Sequence, residues 1–189
     1  MVRLAREVNM KSLNVVDLDK TLIAIDSFRY LVFKEIDFPL LILIILRALK
    51  IISRYKFAQE ASEKLKKVLS NEKEIEELVR YLISKINNEV LEKVRCRSTG
   101  DAVTVIVSAS PEEYVKKIAN RFGFLGMGSY WEGGRYFHCY GPNKIEYLEK
   151  KFPKKDYIYN FVISDSKEDI SLLSLFKTGV LLKKKRFTR

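Results

Sequence analysis

Ser12-Leu13-Asn14-Val15-Val16-Asp17-Leu18-Asp19-Lys20-Thr21-Leu22-Ile23 opens as a β-branched run and ends in acid. Its apolar part reads as a buried strand, and the two carboxylates sit where the chain leaves the sheet. Both can therefore reach one pocket. One carboxylate can attack phosphorus while its neighbour gives a proton to the departing oxygen. A divalent cation lets an anionic carboxylate approach an anionic phosphate. Alone, the D-x-D-x-T pattern is a weak signal, because acidic pairs at strand ends also arise by chance.

Outward from this stretch the chain changes character twice. Between Phe28 and Arg97 there is one proline, Pro39, and no glycine, so the segment reads as a set of helices. Ile75, Leu78, Val79, Leu82, Ile83 and Ile86 follow the three-four spacing of an amphipathic helix. From Ala102 onward strands and helices alternate. AVTVIVSAS (102–110) is a buried strand, and Pro111 opens a helix with acid in its first turn. GMGSYW (126–131) and RYFHCY (135–140) read as a hairpin, Asn143–Phe152 as a helix and YIYNFVIS (157–164) as a strand. SKEDISLLSLF (166–176) reads as a helix and GVLLKK (179–184) as a last strand. Strand alternating with helix predicts a parallel, Rossmann-like α/β sheet flanked by helices, with its site at the carboxyl ends of the strands. The expected division is a discontinuous core, 11–27 and 100–189, interrupted by an all-helical insert, 28–99.

Three strand ends carry charged or hydroxyl groups: Asp17 and Asp19, Ser108 and Ser110, and Asp165. Ser108-Ala109-Ser110 at a helix N-terminus offers a hydroxyl and backbone N–H groups for a phosphate, or simply an N-cap. Lys144 opens a helix, where a cation opposes the helix dipole; it reads as a surface lysine or as one that faces a phosphate. Asp165 and Asp169 lie one helical turn apart, as a hard oxygen-rich metal site wants, although capping explains either one locally.

In this order the four pieces resemble the haloacid dehalogenase superfamily of phosphatases: DLDKT first, then Ser108, Lys144 and SDSKED. The resemblance covers residues 13–25 and 102–182. It implies that Asp17 is the nucleophile and Asp19 the general acid/base, with Thr21 following the first-motif pattern. It further implies that Thr21, Ser108, Ala109 and Lys144 bind the phosphoryl group. Mg²⁺ would be bound by Asp165, the Asp17 carboxylate and the Asp19 carbonyl, with Asp169 accessory. Asp19 favours phosphate ester hydrolysis over dehalogenation, because a halide leaves without a proton. Two positions depart from the pattern: Lys20 stands where Gly or Ser is commoner, and Ser164 replaces a frequent Gly.

An insert between the first and second motifs is similar to the subclass containing phosphoserine phosphatase and the phosphatidylglycerophosphate phosphatases. There an acidic residue nine positions after the nucleophile holds the substrate amine. Asp26 has that offset, but an N-cap for the helix beginning near Phe28 is the preferred reading. The segment Phe38–Ile52 is apolar on every face from Leu40 to Leu46, and Arg47, Lys50, Arg54 and Lys56 follow. Its apolar run is about half the ~20 residues that span a bilayer. It reads as a core helix or dimer contact by default, and as a membrane-surface anchor otherwise. With an anchor, the substrate becomes a lipid-linked phosphate in place of a small metabolite.

The net charge of +11 admits nucleic acid, an anionic membrane surface or a phosphorylated substrate as partner. Nucleic acid is disfavoured, since no aromatics interleave with the basic run Lys183–Arg186. A phosphotransferase on the same core and a basic nucleic-acid-binding module stay as alternatives. Two cysteines without pair spacing and one histidine argue against a zinc site and for a reducing compartment. Met1–Lys11 lacks an apolar leader, so the expectation is cytoplasmic, peripheral at the inner membrane face if 38–52 anchors.

Overall fold

A computed structural model describes residues 10–182. The basic run at Lys183–Arg186, the end of the expected last strand and residues 1–9 lie outside the described residues. The first strand, β1 (Lys11–Asp17), is buried along its last five positions, as a strand covered on both faces must be. It lies between β2 (Val103–Pro111) and β5 (Tyr157–Ser164), parallel to both. Adding β3 (Leu125–Glu132), β4 (Arg135–Phe137) and β6 (Thr178–Leu181) completes a six-stranded sheet in the order β4-β3-β2-β1-β5-β6. Only the β3–β4 pair is antiparallel.

Six helices lie between β1 and β2: α1 (Ser27–Lys34), α2 (Phe38–Ala48), α3 (Arg54–Lys64), α4 (Lys66–Leu69), α5 (Glu72–Ile83) and α6 (Asn88–Arg95). Side-chain N-caps begin five of them: Asp26, Asp37, Ser53, Asn71 and Asn87. After β2 come α7 (Glu112–Arg121), α8 (Pro142–Lys151) and the short α9 (Ile170–Leu173). One apolar cluster joins Leu31, Leu40, Leu65, Leu78 and Leu82 of the insert to Val16, Ile106, Ile118 and Ile163 of the sheet and α7. Lys117 and Arg121 of α7 also pair with Glu72 and Glu76 of α5. The insert is thus packed onto one face of the sheet, with α8 and α9 on the other.

The link between α5 and α6 is fastened to the loop after β1. Ala24 N–H donates to the Lys85 carbonyl at 2.9 Å and Asn87 N–H to the Leu22 carbonyl at 2.8 Å. In the same loop Lys20 has φ 59°, the left-handed region that glycine enters freely and lysine enters at roughly 1–2 kcal/mol. That backbone explains why a small residue suits the position.

Three expectations need correction. The Gly126–Trp131 stretch is not purely a hairpin arm, because Leu125, Gly126 and Met127 pair parallel to β2 and only Tyr130–Glu132 pair with β4. The second arm stops at Phe137, and His138–Tyr140 leave the sheet. Residues 166–176 are not one helix but a 3₁₀ turn, Lys167–Asp169, followed by α9. The turn tightens where the Asp169 carboxylate is drawn onto Lys144 and Ser164.

Candidate active site

The carboxyl ends of β1, β2 and β5 converge on a cavity of about 1260 Å³ between the sheet and the insert. Asp17, Asp19, Asp26, Ala109, Lys144, Asp165 and Asp169 all reach its wall. Strand register explains the gathering: β1 pairs with β2 as far as Asp17 and Val107 and with β5 as far as Val16 and Ile163, so Ser108 and Asp165 follow just past the end of β1. Acidic tips far apart in sequence therefore share one edge.

Asp17 is buried, and each of its oxygens has a donor. Lys144 Nζ donates to Oδ1 at 2.7 Å and Thr21 Oγ1 to Oδ2 at 3.0 Å. Burial pushes Asp17 up to about 6; the Lys144 ammonium opposes this, and the Asp169 carboxylate adds to it. Lys144 is itself buried. Burial disfavours its charge, but Asp17 and Asp169 outweigh that cost and raise it above the usual lysine range. Here the anionic partner of this helix-start lysine is found on the protein itself.

Asp169, expected as an accessory metal ligand, is engaged by the protein through one oxygen. Its Oδ2 accepts from Lys144 Nζ at 2.8 Å and from Ser164 Oγ at 2.7 Å. Asp169 thus shares the Lys144 ammonium with Asp17, and Ser164, where glycine is frequent, supplies a hydroxyl that fixes Asp169. Thr21 is fully buried and absent from the cavity wall. Instead of facing a phosphate, its hydroxyl ties Asp17 to the Asp165 backbone N–H at 2.9 Å.

Ser108 is also fully buried, and its hydroxyl donates to Asp19 Oδ2 at 2.9 Å while accepting from Ser110 N–H. Of the two serines only Ser110 lines the cavity, and its hydroxyl donates to the same Asp19 oxygen at 2.7 Å. The other Asp19 oxygen accepts the backbone N–H and hydroxyl of Ser27, both at 2.5 Å. Ser27 Oγ lies 3.0 Å from the hydroxyl of the fully buried Tyr114. Burial and the Asp19 charge keep that phenol protonated, so Tyr114 donates to Ser27. Ser27 and Tyr114 were not legible as site residues. Ser27 reads as an ordinary helix start and Tyr114 as an apolar position on an amphipathic helix.

Asp26 caps α1 by accepting from Arg29 N–H at 3.0 Å and pairs with Lys20 at 2.9 Å. The capping reading accounts for its placement, although it also borders the cavity. The single histidine, His138, is buried beside Tyr136 and Tyr140, and burial with the nearby Arg54 charge lowers it to about 4. It is neutral at pH 7 and makes no contact with Asp17 or Asp19 among the described hydrogen bonds. Cys96 and Cys139 are free thiols.

Among the described residues no group of three or more His, Cys, Asp or Glu side chains gathers as a metal cluster. The expected donor set is smaller: the Asp17 and Asp165 carboxylates and the Asp19 carbonyl, all from residues at the cavity. An all-oxygen set with few protein ligands suits a hard divalent ion that keeps its remaining positions for water and phosphate. In donor chemistry, the residues fit such an ion.

A model of the haloacid dehalogenase-like hydrolase family matches residues 15–174. No protein among the curated sequences matches. A protein of unknown function from Bordetella pertussis Tohama I superposes with TM-score 0.67 at 19% identity, over 87% of this chain and 86% of that one. A HAD family hydrolase from Salmonella enterica serovar Typhi gives TM-score 0.69 at 11% identity, covering 95% and 69%. A phosphoserine phosphohydrolase-like protein from Francisella tularensis gives 0.53 at 18%, covering 87% and 82%. At these identities the superpositions speak for the fold, which is the expected Rossmann-like one. The family match spans most of the chain and includes every strand end at the cavity, and the chain belongs to the haloacid dehalogenase-like hydrolases.

Proposed function

We propose that this hydrolase is a Mg²⁺-dependent phosphomonoesterase working through a phospho-Asp17 intermediate. The observation that carries the reading is the pair Asp17 and Asp19 on one cavity wall in two different settings. Asp17 is clamped by Lys144 and Thr21, and Asp19 is held by serine hydroxyls. Two carboxylates set apart in this way can divide the work of nucleophile and acid/base.

Asp17 attacks phosphorus, forming an acyl-phosphate bond as the ester P–O bond breaks, and Asp19 delivers a proton to the departing oxygen. Asp19 then takes a proton from water as that water attacks the phosphorus, which releases phosphate and restores Asp17. Lys144, fixed by Asp169, offsets charge beside the reacting group. Asp17, Asp165 and the Asp19 carbonyl would hold Mg²⁺, which when bound neutralises the phosphate that Asp17 must approach.

The test is release of phosphate from p-nitrophenyl phosphate with and without Mg²⁺. Wild type is expected to turn over only with the metal and Asp17→Asn not at all. Retained turnover by Asp17→Asn would refute the mechanism.

A further inference from the structure

The helix α2 is apolar without being core. Leu40 and Leu43 are buried, but Phe38, Leu41, Ile42, Ile45 and Leu49, spaced i, i+3, i+4, i+7 and i+11, form an exposed stripe along one side. Phe38 is 74% exposed and Leu49 and Ile51 are each 65% exposed; Phe33 and Ile36, just before the helix, are exposed as well. Burial in the insert's own core, one half of the default expectation for this segment, therefore holds for Leu40 and Leu43 but not for this stripe. A contiguous apolar patch of this kind marks an interaction surface.

The same helix is a wall of the catalytic cavity, through Ile44, Arg47 and Ala48. Around it the insert side of the cavity carries Arg29, Lys50 and Arg54 among the apolar Phe28, Val32, Phe33 and Phe57. From residue 28 to 58 no acidic residue lines the cavity. Lys50 holds φ 59° at the end of α2, a helix-end position where glycine is the usual occupant, and its side chain stands at the cavity rim. At about 1260 Å³ the cavity exceeds the roughly 300–1,000 Å³ of ordinary small-molecule sites.

We infer that α2 and its flanking cations dock on an anionic lipid bilayer, and that the ester hydrolysed at Asp17 is a lipid phosphomonoester drawn from it. The second clause rests on the phosphatase reading above; the docking surface does not. An eleven-residue helix cannot cross a bilayer, and no described helix is long and apolar enough to do so. Such a helix lies in the interface, with its stripe in the acyl boundary and its cations at the head groups. A second copy of the chain is the competing occupant, and the cations Arg47, Lys50 and Arg54 beside the apolar stripe favour anionic head groups over it. The cavity continues this surface. Its floor, where Lys144 stands beside Asp17, takes the phosphate, and its apolar and cationic insert wall takes the rest of the lipid. Cleavage breaks the P–O bond to the lipid alcohol, which leaves with the proton from Asp19, and the phosphoryl group passes to Asp17 and then to water.

Docking is tested by co-sedimentation of Asp17→Asn protein, so that turnover cannot enter, with vesicles of phosphatidylcholine alone or mixed equally with phosphatidylglycerol. Binding is expected to the mixed vesicles only, at least about tenfold tighter, and to weaken as salt rises. Leu41→Glu/Ile45→Glu, at exposed positions off the cavity wall, is expected to abolish vesicle binding while wild-type turnover of p-nitrophenyl phosphate is unchanged in that background. Vesicle binding that is absent, or unaffected by the pair of substitutions, overturns docking. So does a dimer that dissociates with those substitutions while vesicles are ignored. For the substrate, phosphatidic acid in mixed vesicles is compared with soluble glycerol 3-phosphate, and kcat/KM at least about tenfold higher for the lipid is expected. Equal values, or turnover of p-nitrophenyl phosphate without turnover of the lipid, reject the lipid substrate. Loss of all phosphatase activity with vesicle binding intact counts against the phosphatase reading alone.

Discussion

Ser27, the first residue of α1, donates both its N–H and its hydroxyl to one oxygen of Asp19. The proposed acid/base is thus tied to the insert as firmly as to the sheet, where Ser108 and Ser110 hold its other oxygen. Tyr114 completes the arrangement by donating to Ser27 from the fully buried side.

Removing that support should tell in the rate more than in the fold. Tyr114→Phe deletes one buried donor and is expected to cost about 1 kcal/mol of stability. Ser27→Ala takes away a direct donor to Asp19 and should lower kcat by about tenfold or more with little change in KM, and Ser27→Thr should recover most of it. Steady-state kinetics on p-nitrophenyl phosphate beside urea unfolding separates the two effects. Unchanged kcat in Ser27→Ala would show that Asp19 does not depend on this latch.

Lys144 sits between two buried carboxylates, 2.7 Å from Asp17 and 2.8 Å from Asp169. Lys144→Met leaves both anions without their cation and should cost about 3–5 kcal/mol. Adding Asp169→Asn to that variant removes one of the stranded charges and should return part of the stability but none of the activity. Denaturant midpoints of the single and double variants measure this coupling.

His138 gives a clean pH prediction, because it is the one histidine in the chain. Burial and Arg54 lower it from 6.5 to about 4, so the unfolded chain binds its proton more tightly than the folded chain. Stability from this group is fully present above pH 6.5 and is lost as pH falls towards 4. Between pH 7 and pH 5 the loss should amount to up to about 2 kcal/mol. His138→Phe retains an aromatic ring beside Tyr136 and Tyr140 and should flatten that part of the profile. Equal slopes for both proteins would place the titration elsewhere.

The approach of α7 to β3 depends on two glycines. A Cβ on Gly128 would lie 2.6 Å from Glu112 Cα, and one on Gly126 would lie 2.6 Å from Lys116 Cα. Gly128→Ala should destabilise by about 1–3 kcal/mol, because helix backbone must move away from strand backbone. Glu112 follows β2 directly, so the shift should also disturb Ser110 and reduce kcat. Thermal unfolding and the same kinetic assay read both.

Much of the architecture was written in local pattern. Buried β-branched runs ending in Asp17, Ser110 and Ser164-Asp165 announced parallel strands, and a glycine-free stretch announced the helical insert. Strand ends of a parallel sheet share an edge, so Asp17, Asp19 and Asp165 could be assigned to one site from the pattern, whereas Lys144, at a helix start, was joined to them only by the family resemblance. Two things stayed out of reach. Which carboxylate holds Lys144 and which hydroxyls hold Asp19 depend on groups 127 and 91 residues apart meeting with their donors aimed, and spacing along the chain carries no such information. The hydropathy of 38–52 likewise shows which residues are apolar but not which side of the helix finds a neighbour. Tertiary packing buried Leu40 and Leu43 and left Phe38, Leu41, Ile42, Ile45 and Leu49 facing outward, because the insert covers only one side of that helix.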